Sequence, residues 1–203
     1  ENPQNILIIR LSSLGDVLLS SPLIRALNYK YPNIRINFLV KPQFADAVKH
    51  NKYLNHVYIY GEDEEEYNKE NFDIIIDLQN NVRSKRVVRQ FKSVKFKFSK
   101  PNFKKYLLVK FKINLFDEIL SIPERYAAAF PGLELDEKGL DLYISGEVKS
   151  SVEEGKNYIG FCPGSKHYTK QWLKEYFIHL GNMLTNENYT VLLFGGKDDY
   201  DLC

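Results

Sequence analysis

Two short turns carry most of the residues whose types and spacing could do chemistry. The first, Ser12-Ser13-Leu14-Gly15-Asp16, follows the apolar run Asn5-Ile6-Leu7-Ile8-Ile9-Arg10. The second, Pro163-Gly164-Ser165-Lys166-His167-Tyr168-Thr169-Lys170-Gln171-Trp172, follows Tyr158-Ile159-Gly160-Phe161-Cys162. Each leads into a helical pattern. Such a turn lies at the carboxyl end of a parallel strand, where open α/β sheets take their ligands. Exposed backbone N–H groups and the helix dipole favour anions there. Asp16 has two readings: a helix cap, since Asp is a favoured N-cap residue, or a carboxylate base in a cleft. The second turn offers small residues, hydroxyls and two lysines, which are phosphate-binding materials. Lys170 is either a point charge reaching a diphosphate or a solvated lysine.

The same residues exclude other chemistries. The first turn has one glycine, so the three-glycine dinucleotide fingerprint and the Gly-Lys-Ser/Thr phosphate loop are both absent. That argues against a nicotinamide dehydrogenase and a phosphate-loop kinase. No His/Cys cluster has metal-ligand spacing, so neither metal nor cofactor is expected. Trp172 reads as a packing anchor and His167 as an exposed loop residue. Cys162, at the end of an apolar strand, reads as inert core.

The elements that position these turns are strands alternating with helices. After Asn5–Arg10 come helical spacings at Val17, Leu18, Pro22, Leu23, Ala26 and Leu27, with a kink or restart expected at Pro22. Ile34 to Val40 reads as an alternating second strand, Phe44 to Val48 as a short helix, Val57 to Tyr60 as a third strand and Phe72 to Leu78 as a fourth. Gln171 to Leu184 reads as a helix and Thr190 to Phe194 as a strand. This is the pattern of a parallel α/β sheet. A polar stretch, Asp136 to Gly155, sets the expected boundary between a first domain, residues 1–150, and a second, residues 151–203. The second holds one βαβ unit, too little to cover a sheet on both faces, and is expected to be the beginning of a longer domain.

Composition allows a real core: 44% of the 203 residues are hydrophobic and 27% charged, which excludes disorder and low-complexity classes. The net charge of +2 does not mark a bulk nucleic-acid binder, and no nucleic-acid partner is expected. Two cysteines make no disulfide scaffold, no apolar run is long enough to span a membrane, and no signal peptide is read at the start, so a cytoplasmic setting is expected. Without an initiator Met the chain reads as processed or trimmed. Glu62 to Glu70 carries six acids and reads as a solvated loop and helix. Arg83 to Lys112 carries twelve bases and no acid, interleaved with six aromatic residues. It is either a solvated basic face or a surface for anionic lipid or a phosphorylated acceptor, which would add a peripheral contact with the inner face of the membrane.

Four stretches, in order, resemble the family 9 glycosyltransferases, the ADP-heptose:lipopolysaccharide heptosyltransferases. They are Ile6 to Leu27 (ILIIRLSSLGDVLLSSPLIRAL), Asp73 to Ser84 (DIIIDLQNNVRS), Ile159 to Leu173 (IGFCPGSKHYTKQWL) and Val191 to Asp198 (VLLFGGKD). The resemblance implies a GT-B architecture: a Rossmann-like N-terminal domain that takes the acceptor, and a second Rossmann-like domain, begun here, that takes the nucleotide sugar. By motif, Asp16 matches the catalytic base, with Ser12, Ser13 and Gly15 as its loop on the acceptor side. Gly164, Ser165 and Lys170 match the donor diphosphate turn. Arg83 and Arg125 match basic residues facing the acceptor. Members often place a His four residues before an Arg-Tyr pair; here Ser121 precedes Arg125-Tyr126. A later Asp-Thr-Gly-type motif has no counterpart before Cys203, so the chain alone is expected to be inactive.

The implied function is an inverting, metal-independent transfer of a heptose or similar sugar from an ADP-sugar to a lipopolysaccharide core or another lipid-linked saccharide. Its implied partners are a nucleotide-sugar donor, ADP-heptose above all, and that acceptor. Two alternatives stay open: a non-catalytic domain that binds sugar phosphate or anionic lipid on the same scaffold, and a basic peripheral protein that uses Arg83 to Lys112 without nucleotide.

Overall fold

The computed structural model describes residues 3–116, 118–146, 152–165, 168–196 and 199–200. They fall into two compact units, one up to Gly146 and one from residue 147 onward.

The first unit is a five-stranded parallel sheet in the order β3-β2-β1-β4-β5. The strands are β1 (Asn5–Ile9), β2 (Arg35–Val40), β3 (His56–Ile59), β4 (Ile74–Asp77) and β5 (Val94–Lys97). Successive β1 residues feed opposite cores. Ile6 and Ile8 pack with Val17, Leu23, Ile24 and Leu27, while Leu7 and Ile9 pack with Tyr67, Val87 and Phe91. The helices that cover the first face are α1 (Leu14–Leu18), α2 (Ser21–Lys30) and α6 (Ile122–Ala127). The second face is covered by α3 (Glu64–Tyr67) and α4 (Val82–Val88). A continuous apolar strand is therefore required, because β1 has no solvent face.

β2 departs from the expected alternation: after the exposed Arg35, all five residues to Val40 are buried. It is an interior strand between β1 and β3, so Leu39 joins one core while Phe38 and Val40 join the other. The short helix expected at Phe44 to Val48 is a 3-10 helix over Pro42–Ala47. The helical pattern after β1 does restart: α1 ends at Leu18 and α2 begins at Ser21, with Pro22 in its first turn, where the missing N–H costs nothing.

α2 is buried well beyond its apolar stripe, from Ser21 to Leu27. The segment 133–141 runs over its polar side. Arg25, only 2% exposed, pairs with Asp136 and Asp141 and donates from Nη2 to the Gly139 carbonyl at 2.9 Å. The Asp141 N–H donates to Ser21 Oγ at 2.9 Å. A buried guanidinium is tolerated because all three of its nitrogens find acceptors. The remaining helix of this unit, α5 (Asn102–Phe111), buries none of its residues.

The second unit pairs β6 (Asn157–Phe161) with β7 (Tyr189–Leu193) in parallel, connected through a 3-10 turn (Tyr168–Lys170) and α7 (Lys174–Asn186). α7 starts three residues later than the spacing suggested. Cys162 corrects an expectation: it is exposed, one residue past the end of β6 at Phe161. Trp172 does pack, edge-on to Phe177 with centroids 4.8 Å apart.

Candidate active site

The strand order reverses between β1 and β4, and the loops that follow these two strands meet at their carboxyl ends. This is the switch point at which doubly wound sheets bind ligands. Asp77 closes the β4 loop. One carboxylate oxygen accepts from the Gln79 and Asn80 amides at 3.0 and 2.8 Å, and the other accepts from Ser84 Oγ at 2.8 Å. Asn80 has a left-handed φ of 45°, a conformation Asn tolerates, and its side chain donates to the Phe98 carbonyl at 2.8 Å. Asn81 then caps α4, accepting from the Arg83 and Ser84 amides. Each polar residue of this loop thus has a local structural task, and together they aim Gln79 at the neighbouring loop. Gln79 Oε1 accepts from the Leu11 and Ser12 amides at 3.1 and 3.2 Å, tying the two turns together.

In the first turn, Ser12 is half-buried while Ser13 and Gly15 are exposed, and the Ser12–Ser13 peptide bond is cis. Asp16 is the third residue of α1, not its N-cap; Ser13 occupies that position. The Asp16 carboxylate reaches back to accept from the Ser13 N–H at 3.3 Å and Ser13 Oγ at 3.1 Å. It also pairs with Arg10, which is 4% exposed, whereas Asp16 is 35% exposed. Arg10 is held from behind, donating to the Leu78 carbonyl at 2.6 Å and lying 5.7 Å from the centre of the Tyr126 ring. Burial pushes the Asp16 carboxyl up, but the Arg10 charge and the two Ser13 hydrogen bonds outweigh it, leaving it below its ordinary value. Asp16 is therefore ionised at neutral pH, fixed in direction, and open to solvent. Such a group can accept a proton from a hydroxyl brought against it. Tyr126 stays neutral, its phenol pushed up to about 12 by burial, with the Asp16 carboxylate adding to the rise.

Arg10, Gln79 and Tyr126 escaped sequence reasoning. Only Arg10, a charge at the end of an apolar strand, carried a local signal; Gln79 and Tyr126 reach the site through the fold. Ser121, where many members of the resembled family have His, caps α6: its Oγ accepts from the Glu124 N–H, and Glu124 accepts from the Ser121 N–H at 2.6 Å.

The two arginines assigned to the acceptor do not line a common groove. Arg125 on α6 sits 5.0 Å from the Phe98 ring centre and lines a groove of about 580 Å³ with Lys97, Ser99, Lys104 and Lys105. Arg83 is exposed as the second residue of α4 and is not among the residues that line that groove. A smaller polar hollow of about 400 Å³, lined by Gln79, Asn80, Asn81, Ser99, Lys100 and Asn102, adjoins the β4 loop.

In the second unit, Gly164 and Ser165 follow β6 after Cys162 and Pro163, and Lys170 is exposed at the end of the 3-10 turn. Gln171 closes the loop by donating to the Ser165 carbonyl at 2.7 Å. A side chain on Gly164 would run into the Asp199 carboxylate, so only glycine lets the loops after β6 and β7 approach. Lys166 and His167 lie outside the described residues. Among the described residues, no group of three or more His, Cys, Asp or Glu side chains could hold a metal ion.

Comparison with known proteins bears on the fold and the family. The sequence model of glycosyltransferase family 9 (heptosyltransferase) matches residues 65–202. Lipooligosaccharide heptosyltransferase 2 of Haemophilus influenzae is 27% identical over an alignment of 224 positions, covering 96% of this chain and 64% of the relative. The chain thus spans just under two thirds of that relative's length. The solved family 9 glycosyl transferase of Veillonella parvula has a TM-score of 0.79 at 20% identity, covering 98% of this chain and 64% of its own. The E. coli heptosyltransferase WaaC, solved with ADP-2-deoxy-2-fluoro heptose, has a TM-score of 0.69 at 19% identity, covering 98% and 71%. The structural likenesses show the α/β fold, and the match of the family model over most of the sequence shows the lineage: the chain belongs to glycosyltransferase family 9, the heptosyltransferase family.

Proposed function

We propose that this protein transfers a heptose, or a similar sugar, from an ADP-sugar to a lipopolysaccharide core or related lipid-linked saccharide in the cytoplasm. The observation that carries the reading is Asp16 at the switch point: ionised, oriented by Arg10 and Ser13, and open to solvent. In the proposed step the acceptor hydroxyl attacks the anomeric carbon from the face opposite the diphosphate. The new C–O bond forms as the bond to the diphosphate breaks, the proton passes to Asp16, and ADP leaves with inversion. Ser12, Ser13, Gly15 and the polar hollow beside Gln79 would seat the acceptor sugar, with Arg125 and Arg83 as its basic contacts. Gly164, Ser165 and Lys170 would hold the departing diphosphate, with the lysine supplying the charge a metal ion would otherwise provide. The ADP-heptose analogue bound by the E. coli relative supports the donor assignment.

Lys170→Ala in the complete gene product tests the donor side. Lys170 is exposed, so its loss leaves the fold intact. A charge-assisted phosphate contact is worth about 1.5–3 kcal/mol, so ADP should bind roughly 10–150-fold more weakly. Adenosine, which lacks phosphate, should bind as before. Equal losses for ADP and adenosine, or none for either, would remove Lys170 from the site. A non-catalytic sugar-phosphate domain would pass this test but show no transfer.

A further inference from the structure

α5 and the segment after it hold apolar side chains where a water-facing surface has no use for them. Phe103 is 69% exposed and Val109 72%; Tyr106, Phe111, Ile113 and Leu115 are also exposed, and Ile119 reaches 90%. Scattered single apolar residues are normal on a surface, but a continuous run is the mark of an interaction site. The same helix carries Lys104, Lys105 and Lys110, with Lys112 just beyond, and no acid occurs between Asp77 and Asp117. The cations are organised with the rings. Lys110 Nζ donates to the Tyr106 hydroxyl at 2.9 Å and lies 5.3 and 5.4 Å from the Tyr106 and Phe111 ring centres. Lys104 lies 5.8 Å from the Phe116 ring centre. Beside the helix runs the groove of about 580 Å³, with Leu108, Ile119 and Leu120 among its lining, and there Lys97, Lys104, Lys105 and Arg125 outnumber the one acid, Glu118.

We propose that α5, residues 113–116 and residues 118–120 form a docking surface for an anionic lipid bilayer. Charge and composition choose this occupant over a protein. Protein interfaces are depleted in lysine, whereas three of the ten residues of α5 are lysines. A lysine stem can lie along an apolar layer while its ammonium reaches a lipid phosphate, and tyrosine suits the boundary between headgroup and acyl chain. A short helix with these side chains lies in the interface plane. No helix among the described residues is long and apolar enough to cross a membrane, so the contact is one of lying on the surface. The vesicle test reads neither sugar transfer nor ADP binding, so its outcome is distinguishable from that of the Asp16 and Lys170 tests.

The test is flotation of the full chain with phosphatidylcholine vesicles, with and without phosphatidylglycerol, at low and high salt. Binding should require phosphatidylglycerol and fade at high salt, because the attraction is screened beyond about 8 Å at physiological ionic strength. Lys104→Gln with Lys105→Gln should lower vesicle partitioning roughly 30-fold, at about 1 kcal/mol per charge. Phe103→Ser with Val109→Ser should weaken binding even at low salt, and both sites are too exposed for the fold to suffer. Lys85→Gln with Arg86→Gln removes the same net charge from α4, which packs through Val87 against the opposite face of the sheet, and should change little. Absence of binding to anionic vesicles at low salt, or an equal loss from the α4 pair, would overturn the proposal. So would self-association abolished by the Phe103/Val109 substitutions without vesicle binding, which would assign the face to a second copy of the chain.

Discussion

Asp16→Asn should reduce sugar transfer by on the order of 10²–10⁴ while leaving donor affinity unchanged, because the amide cannot take the acceptor proton. The structure adds a cost that a simple capping role would not carry. Asparagine at the third position of α1 can still accept from Ser13, but it removes the counter-charge of Arg10, which is 4% exposed. Arg10 keeps its bond to the Leu78 carbonyl, and Asp16 is partly solvated, so the loss should be about 1–3 kcal/mol rather than the full penalty of an unpaired buried charge. Replacing both partners, Arg10→Met with Asp16→Asn, should recover much of that stability and none of the transfer. Melting temperature, ADP affinity and turnover, measured together on the three variants, separate the two roles. Because the Asp16 carboxyl is held below its ordinary value, transfer should also be insensitive to its ionisation between about pH 6 and 8 and should fall on the acid side, below about pH 4. Full turnover by a folded Asp16→Asn variant would leave the carboxylate as nothing more than the partner of Arg10 and Ser13.

Arg25→Ala should strongly destabilise the first unit. It removes a large side chain that is 2% exposed, its pairs with Asp136 and Asp141, and the anchor of segment 133–141 on α2. Breaking a buried pair typically costs about 3–5 kcal/mol. The two carboxylates left behind are partly exposed and can turn to water, which places the effect near the lower end, about 3 kcal/mol. For a chain of this size that lowers Tm by roughly 6–12 °C. Arg25→Lys keeps a charge but cannot serve two carboxylates and a carbonyl at once, and should fall in between. The Arg25 hydrogen bonds hold the Asp136 carboxyl below its ordinary value, so this stabilisation is present above about pH 4 and disappears as pH falls through the depressed value. The gap between wild type and Arg25→Ala should therefore be full at neutral pH and narrow in acid. Thermal melts across pH check both points; a gap that widens in acid would contradict the pairing.

The strands were legible because both faces of the first sheet are buried, which makes β1 and β4 continuous apolar runs. The restart at Pro22 was legible because proline fits only the first turn of a helix. What stayed hidden depends on tertiary neighbours. β2 gave a false alternation, since Arg35 and Asn37 sit among apolar residues; yet Asn37 is buried, its amide donating to Asn5 Oδ1 at 2.7 Å. Asp16 could be assigned to the turn but not to the third helical position. Arg10 as its partner, and Gln79 as the clasp of the loop, follow from a strand order that sets β4 beside β1 despite a separation of almost seventy residues. The basic run after Arg83 was visible as charge, but only the structure separates α4, which packs on the sheet through Val87, from α5, which buries none of its residues. Cys162 was misplaced because the reach of an apolar strand does not show where its cover ends.

The most direct measurement is ADP release by the complete gene product given ADP-heptose, with and without a lipid-linked saccharide acceptor, in the wild type and in Asp16→Asn. The expected result is acceptor-dependent release in the wild type, reduced by on the order of 10²–10⁴ in a folded variant that still binds ADP normally. Contradiction would come from donor binding with no acceptor-dependent release in the wild type, or from equal release by the two proteins.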